Sequence, residues 1–221
     1  MSNFIYGGPE VARRTAQHLR EMHRPIKGTD VQGRRYTALD PEAYAWVHLT
    51  LFYAIRSART LYADPLDADE EARFYAEWRT LGRLLGVREA QMPSDVRAFD
   101  AYIETMIASR LEDNEVVEHL LGPGIYDIPK PPFLRLLPNP IFRVLYYPVG
   151  MTVRIATVHA LPESLRAKLG IPERKLEALA FAAFRRVVRF AVRPLPAFIR
   201  FTPESRKAYR DAGRVGRALF A

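Results

Sequence analysis

Residues 8–26, GPEVARRTAQHLREMHRPI, set Val11, Thr15, Leu19, Met22 and Ile26 at steps of four or three, behind a proline at position 9. Such steps place side chains on one face of a helix, and a proline suits a first helical turn because its missing N–H has no partner there. The same period runs through nearly the whole chain. Asp40-Pro41 is a cap followed by a first-turn proline, and it opens a second helix to about Leu61. Asp67 with Glu70 fits a capping box. Phe74, Trp78, Leu81 and Leu85 then share a face, and Gly86 stops the helix.

Further on, Ser94 is the expected cap of a helix that turns Val96, Phe99, Ile103, Met106 and Ile107 inward, and a short helix is expected from Asp113 to Leu121. Asn139-Pro140 opens a helix to about Leu161, with a kink expected at Pro148. Pro172 starts a long helix that ends before Pro194 and Pro196, and a basic helix is expected from Pro203 to Phe220. The segment GTDVQGRRYTALD reads as a loop, and no stretch alternates as a strand does. The expected fold class is all-α, a single globular helical bundle over residues 1–221.

The chain has 221 residues, long enough for a core without staples. It has no cysteine, which excludes disulfide frameworks, thiolate zinc sites and iron–sulfur clusters. Apolar residues make up 48% and charged residues 26%, an ordinary globular balance. The net charge of +8 is unevenly spread. Residues 1–122 carry 15 Lys/Arg against 19 Asp/Glu, and residues 123–221 carry 18 against 6. An acidic half (1–122) is thus joined through a proline-rich connector (123–139) to a basic half (140–221), whose expected partner is anionic. Met1–Glu10 holds neither a basic run nor an apolar core, so no signal peptide is read and a cytoplasmic protein is expected. The apolar stretch between Arg143 and Arg154 is too short to span a bilayer, which leaves peripheral membrane contact as the expectation.

Without cysteine, the neutral nitrogen ligands for iron are His18, His23, His48, His119 and His159. His48 falls in the middle of the face made by Tyr44, Leu51 and Ile55, so it faces the core, either bonded to a carbonyl or serving a ligand. His23 sits at the rim of the first apolar stripe, with Arg20 three residues before it and adjacent on the helix surface. Such a histidine can face a flat apolar cofactor. His18 points into the same stripe and competes for the role, while His119 and His159 read as structural. HExxH, GxGxxG, the P-loop and GxSxG are all missing from the sequence. In FRRVVRFAVRPLPAFIRF (184–201) the apolar residues take helical core positions, so nucleic acid is not the expected partner.

The run from Ile5 to Leu51 resembles the signature segment of the latex-clearing-protein family, which includes rubber oxygenases and ER-bound oxygenases of MpaB type. The matching features are Gly7 before a helix, RxxH at Arg20 and His23, Lys27-Gly28, Tyr36-x-Ala38-x-Asp40-Pro41 and Trp46-Val47-His48. TLGRLLGV, the Pro93 segment and PLPAFIRFTPESRKAYRDA continue the likeness. The resemblance implies an all-α fold holding one haem b (iron protoporphyrin IX). It makes His23 the iron ligand, Arg20 a nearby arginine and His48 a pocket or second-sphere histidine. Arg200, in the matched terminal segment, is the arginine it offers to the haem propionates. It further implies an oxygenase that joins dioxygen to a small apolar, lipid- or isoprenoid-like substrate. Family members also carry helices upstream of the RxxH helix that build the distal side of the haem. Only 22 residues precede His23 here, so a chain lacking those elements is expected. Two rival expectations stand beside the enzyme. One is a non-enzymatic protein that binds anionic membranes through its basic half. The other is a relative that has lost its haem and serves as a scaffold.

Overall fold

A computed structural model of the protein describes residues 8–30, 32–122, 124 and 130–211. In chain order the elements are α1 (Gly8–His23), β1 (Lys27–Thr29), β2 (Arg35–Thr37), α2 (Pro41–Tyr62), α3 (Ala68–Leu85), α4 (Val96–Ser109), α5 (Glu115–Leu121), α6 (Asn139–Ala160), α7 (Glu163–Lys168), α8 (Lys175–Val192), α9 (Ala197–Arg200) and α10 (Pro203–Asp211). The class is all-α, with one small hairpin. Gly7, the connector at 123 and 125–129, and the expected helix beyond Asp211 lie outside the described residues. The chain divides into two compact units, Met1–Asp100 with Val188–Ala221, and Ala101–Val187.

The start signals read from the sequence act through visible bonds. Asp40 accepts from the N–H groups of Glu42 and Ala43, both at 3.0 Å, ahead of Pro41. At α3 the Glu70 N–H donates to Asp67 at 2.8 Å and the Asp67 N–H donates back to Glu70 at 3.1 Å. Gly86 closes α3 at φ +86°, in the left-handed region where a side chain is disfavoured. At α4 the cap lies one residue later than expected. Asp95, not Ser94, accepts from the Ala98 N–H at 2.9 Å, and Ser94 hydrogen-bonds Asp95.

The helix α1 departs from the expected stripe. Its buried positions are Ala12 and Ala16, which meet Leu81 and Leu85 of α3. Two alanines let the helix axes approach, so the larger Met22 and Ile26 are left half-exposed. Pro25 disfavours a helical residue before it, and α1 stops at His23. The chain then makes a hairpin where a plain loop was expected, with Lys27 opposite Thr37, Gly28 opposite Tyr36 and Thr29 opposite Arg35. Asp30 holds its turn by accepting from the Gln32 and Arg34 N–H groups. Gly28 lies under the Tyr36 ring, where a Cβ would stand 2.6 Å from the phenol oxygen.

The core of the first unit is aromatic. Phe52 and Phe99 are wholly buried, Tyr75 nearly so, and the Phe52 ring lies 4.9 Å from both Tyr75 and Phe99 and 6.2 Å from Trp78. Each such ring contributes about 1.5–3 kcal/mol by leaving water. Arg56 closes the rim over Phe99 while pairing with Glu71 at 3.3 Å and Asp100 at 2.5 Å. Ile55, expected on the inward face of α2, is exposed, because the buried positions turn through Ala45, His48, Leu49 and Phe52 instead.

In the second unit α6 runs through Pro148 without a break and buries Phe142, Gly150 and Val158. Lys168 donates to the carbonyls of Ile107 and Ala108 at 2.6 and 2.8 Å, capping the C-terminal end of α4. Arg154 pairs with Glu177 at 3.1 Å.

Candidate functional site

His23 is the last residue of α1 and is half-buried. Its Nδ1 lies 2.7 Å from the carbonyl oxygen of Leu19, one turn back. A carbonyl only accepts, so Nδ1 carries the proton and donates. In the neutral ring Nε2 then holds a lone pair, and it has no hydrogen-bond partner among the described residues. The edge of Tyr44 meets this ring at 6.1 Å and 84°. The turn behind it is fixed by the Ile26 N–H on the His23 carbonyl at 3.1 Å and by the Ala38 N–H on the Ile26 carbonyl at 3.0 Å.

Arg20, one turn before His23, reaches across to Gly86. A Cβ at Gly86 would strike its Nη1, so the guanidinium fills the space that glycine leaves. Arg20 and Tyr44 share a small pocket of about 90 Å3 with Arg88 and Gln91. Burial pushes the Tyr44 phenol above its usual range, against the pull of the Arg20 charge. The sequence names Tyr44 only as part of the His48 face, and it does not single out Arg88 or Gln91. Arg88 and Gln91 follow α3 with no periodic signal, and only the fold brings them beside α1.

His48 is placed differently. It is buried, and its Nε2 donates to the Trp78 carbonyl at 3.1 Å. In return the Trp78 indole N–H donates to the His48 carbonyl at 3.0 Å, and the two rings stack at 5.1 Å and 16°. This double bond pair clasps α2 to α3. Burial lowers the pKa of His48, opposed by its bond to the Trp78 carbonyl. Gly82 makes the clasp possible, since a Cβ there would stand 2.7 Å from His48 Nε2 and 2.7 Å from Met92 Sδ.

His18, expected to point into the stripe, is exposed. His119 is exposed as well, and His159 stacks on Phe181 at 5.2 Å in the second unit. Arg200 donates to the Arg193 carbonyl at 3.2 Å and sits over Phe201. Arg20, His23 and Tyr44 are thus brought together, His48 lies one turn along α2 from Tyr44, and Arg200 is outside the residues that line the Arg20 pocket.

Residues 1–190 match the family described as "ER-bound oxygenase mpaB/B'/Rubber oxygenase, catalytic domain". The chain belongs to this family. No curated protein and no solved structure matches it. The chain is therefore of an oxygenase catalytic-domain family, whose chemistry joins dioxygen to a substrate. Among the described residues no helix is long and apolar enough to cross a membrane, and no three His, Asp or Glu side chains gather as a metal cage.

The donor chemistry at His23 fits a haem. A porphyrin supplies four nitrogens to its iron, so the protein needs to offer a single imidazole. The second ring nitrogen of such an imidazole characteristically donates to a carbonyl or carboxylate. His23 has this arrangement, with Nδ1 on Leu19 and Nε2 without a partner.

Proposed function

We propose that this chain is a haem b-dependent oxygenase-like domain acting on an apolar, lipid- or isoprenoid-like substrate, with His23 Nε2 as the iron ligand. The observation that carries the reading is the Nδ1 bond to the Leu19 carbonyl. When bound, the haem supplies the dioxygen chemistry. The chain's own residues orient and tune it. The Leu19 carbonyl holds the His23 ring in one tautomer and leaves the Nε2 lone pair outward for a ligand bond. Arg20 brings positive charge to the same end of α1, and Arg200 is a second cation for the cofactor carboxylates. His48 acts through the clasp with Trp78, which fixes α2 and so holds the Tyr44 edge against the His23 ring.

Adding haemin to the purified chain tests this. A Soret band is expected that is lost in His23→Ala and kept in His18→Ala, whose side chain is exposed. A protein that takes up no haemin, or one whose band survives His23→Ala, overturns the assignment.

The second unit favours a membrane-surface reading beside this one. Phe133 is 81% exposed and Leu136 is 100% exposed, and Val144 and Leu145 of α6 are also bare. Between Asp127 and Glu163 there is no acidic residue, while Lys130, Arg135, Arg143 and Arg154 are basic. Apolar side chains with interspersed cations suit an anionic lipid surface. Sedimentation with phosphatidylserine vesicles is expected to be salt-sensitive and to weaken in Phe133→Ser/Leu136→Ser. Equal sedimentation of that variant argues against it.

A further inference from the structure

The pocket beside His23 holds an unusual set of groups. Among the described residues Arg20 and Arg88 make no ion pair, and no acidic side chain lines the pocket. The Tyr44 hydroxyl and Gln91 Oε1 are both shut off from solvent with no hydrogen-bond partner. A buried hydroxyl or amide without a partner is costly to a fold, and here two of them share one pocket with two arginines that no carboxylate pairs. The Gln91 amide can present its NH2 by a half-turn, because its oxygen and nitrogen are interchangeable in shape. The pocket then offers two guanidinium forks and an amide N–H, which only donate, and a phenol O–H that can donate. Its other walls are apolar, from Leu39, Pro41 and Val87.

We propose that this pocket is a carboxylate-binding site, in which Arg20 and Arg88 neutralise the anion and Tyr44 and Gln91 donate to its oxygens. The volume of about 90 Å3 admits a carboxylate head and little more. A planar carboxylate takes two N–H bonds from one guanidinium. The apolar walls suit the carbon that carries it better than they suit a fully hydrated inorganic anion. The carboxylate comes either from a free small acid or from the edge of a larger ligand seated at His23, whose ring touches Tyr44. The site does not depend on the haem assignment; the second source does.

The experiment uses the full chain, titrated with sodium acetate, with inorganic phosphate and with sodium chloride at matched ionic strength, followed by unfolding temperature and calorimetry. Acetate is expected to bind saturably above the chloride baseline. Tyr44→Phe and Arg88→Gln are each expected to weaken it ten-fold or more, and Arg88 is exposed, so that variant leaves the core intact. Haemin and haemin dimethyl ester are then compared as competitors. Displacement of acetate by the diacid and not by the diester assigns the carboxylate to the porphyrin. Acetate binding undisturbed by either assigns it to a free acid. No saturable acetate effect, together with equal uptake of diacid and diester, overturns the proposal, as does saturation by phosphate alone. A chain that binds acetate and takes up no haemin sinks the haem reading and leaves this one standing.

Discussion

Gly82→Ala inverts the usual expectation for a glycine within a helix. Gly82 lies in the last turn of α3, and helix propensity alone predicts that alanine there gains about 1 kcal/mol. The surroundings oppose that gain. The new Cβ would stand 2.7 Å from His48 Nε2, 2.7 Å from Met92 Sδ and 3.0 Å from His48 Cδ2. Met92 has a flexible end that can give way. The His48 ring cannot move without lengthening its bond to the Trp78 carbonyl and disturbing its stack on the indole. Forcing a methyl into such a site costs roughly 1–3 kcal/mol. Losing the hydrogen bond of a buried group adds about 1–2 kcal/mol. Set against the propensity gain, the net is destabilisation of about 1–4 kcal/mol. Urea unfolding followed by tryptophan fluorescence reads this directly, because Trp46 and Trp78 both belong to the first unit. A lower midpoint at unchanged slope is expected. Repeating the substitution in a His48→Ala background removes the main obstacle, and the cost is expected to shrink by at least 1 kcal/mol. A midpoint that rises in Gly82→Ala, or a cost unaltered by His48→Ala, refutes the clasp as the reason for the glycine.

Trp78→Phe keeps most of the buried ring and deletes the indole N–H on the His48 carbonyl, so a loss of about 1–2 kcal/mol is expected in the same urea assay. Phe52→Ala leaves a hole among Tyr75, Trp78 and Phe99 and is expected to cost about 3–5 kcal/mol, read as loss of the cooperative transition near room temperature. Burial lowers the folded-state pKa of His48, so below pH 6.5 the unfolded chain binds the extra proton first. Stability from this group is therefore full above that pH and falls as pH drops towards the folded value, by up to about 1.4 kcal/mol per pH unit. His48→Gln, which keeps a donor near Nε2, is expected to flatten that acid limb in urea melts between pH 5 and 6.5. Asp67→Ala removes half of the capping box and is expected to lower stability by about 1 kcal/mol, seen as lost helicity in circular dichroism.

The ends of the helices were legible because their signals are local. Asp40-Pro41, Asp67 with Glu70, and Gly86 each act within four residues of themselves. Asp95 and Ser94 are both good caps side by side, and the sequence has no means of choosing between them. The α1 stripe misleads because its largest apolar side chains are not its buried ones. The contact with Leu81 and Leu85 is made by two alanines, and close approach of helices rewards small side chains that a hydrophobic count discounts. The hairpin was invisible because its three-residue strands are too short to alternate. His48 facing the core could be read from helical period, but its partner could not, since Trp78 lies thirty residues away. Burial of His48 was thus a matter of spacing, whereas the bond that gives it a role was a matter of tertiary fold. The pocket shared by Arg20, Tyr44, Arg88 and Gln91 draws on three separate segments for the same reason.

The clasp and the pocket are linked through one small cluster. Ala45, Val87 and Met92 are buried together, with Tyr44 and Leu85 packed against them. Met92 is also one of the two neighbours that a methyl at Gly82 would strike. Pressure at Gly82 therefore has two outlets. One is His48, whose movement loosens α2 from α3. The other is Met92, whose movement disturbs the packing beneath Tyr44 and Val87, both of which line the pocket. The first outlet lowers global stability, and the second alters a binding site while leaving the bonds of the clasp in place. Side chains that share a packed cluster couple by about 0.5–3 kcal/mol. Acetate affinity and urea midpoint measured on the same Gly82→Ala protein would separate these routes. A midpoint loss with intact acetate binding means His48 yields, and the reverse means Met92 does. Two of the three nearest atoms, Nε2 at 2.7 Å and Cδ2 at 3.0 Å, belong to His48, so the expected result is the midpoint loss with acetate binding intact.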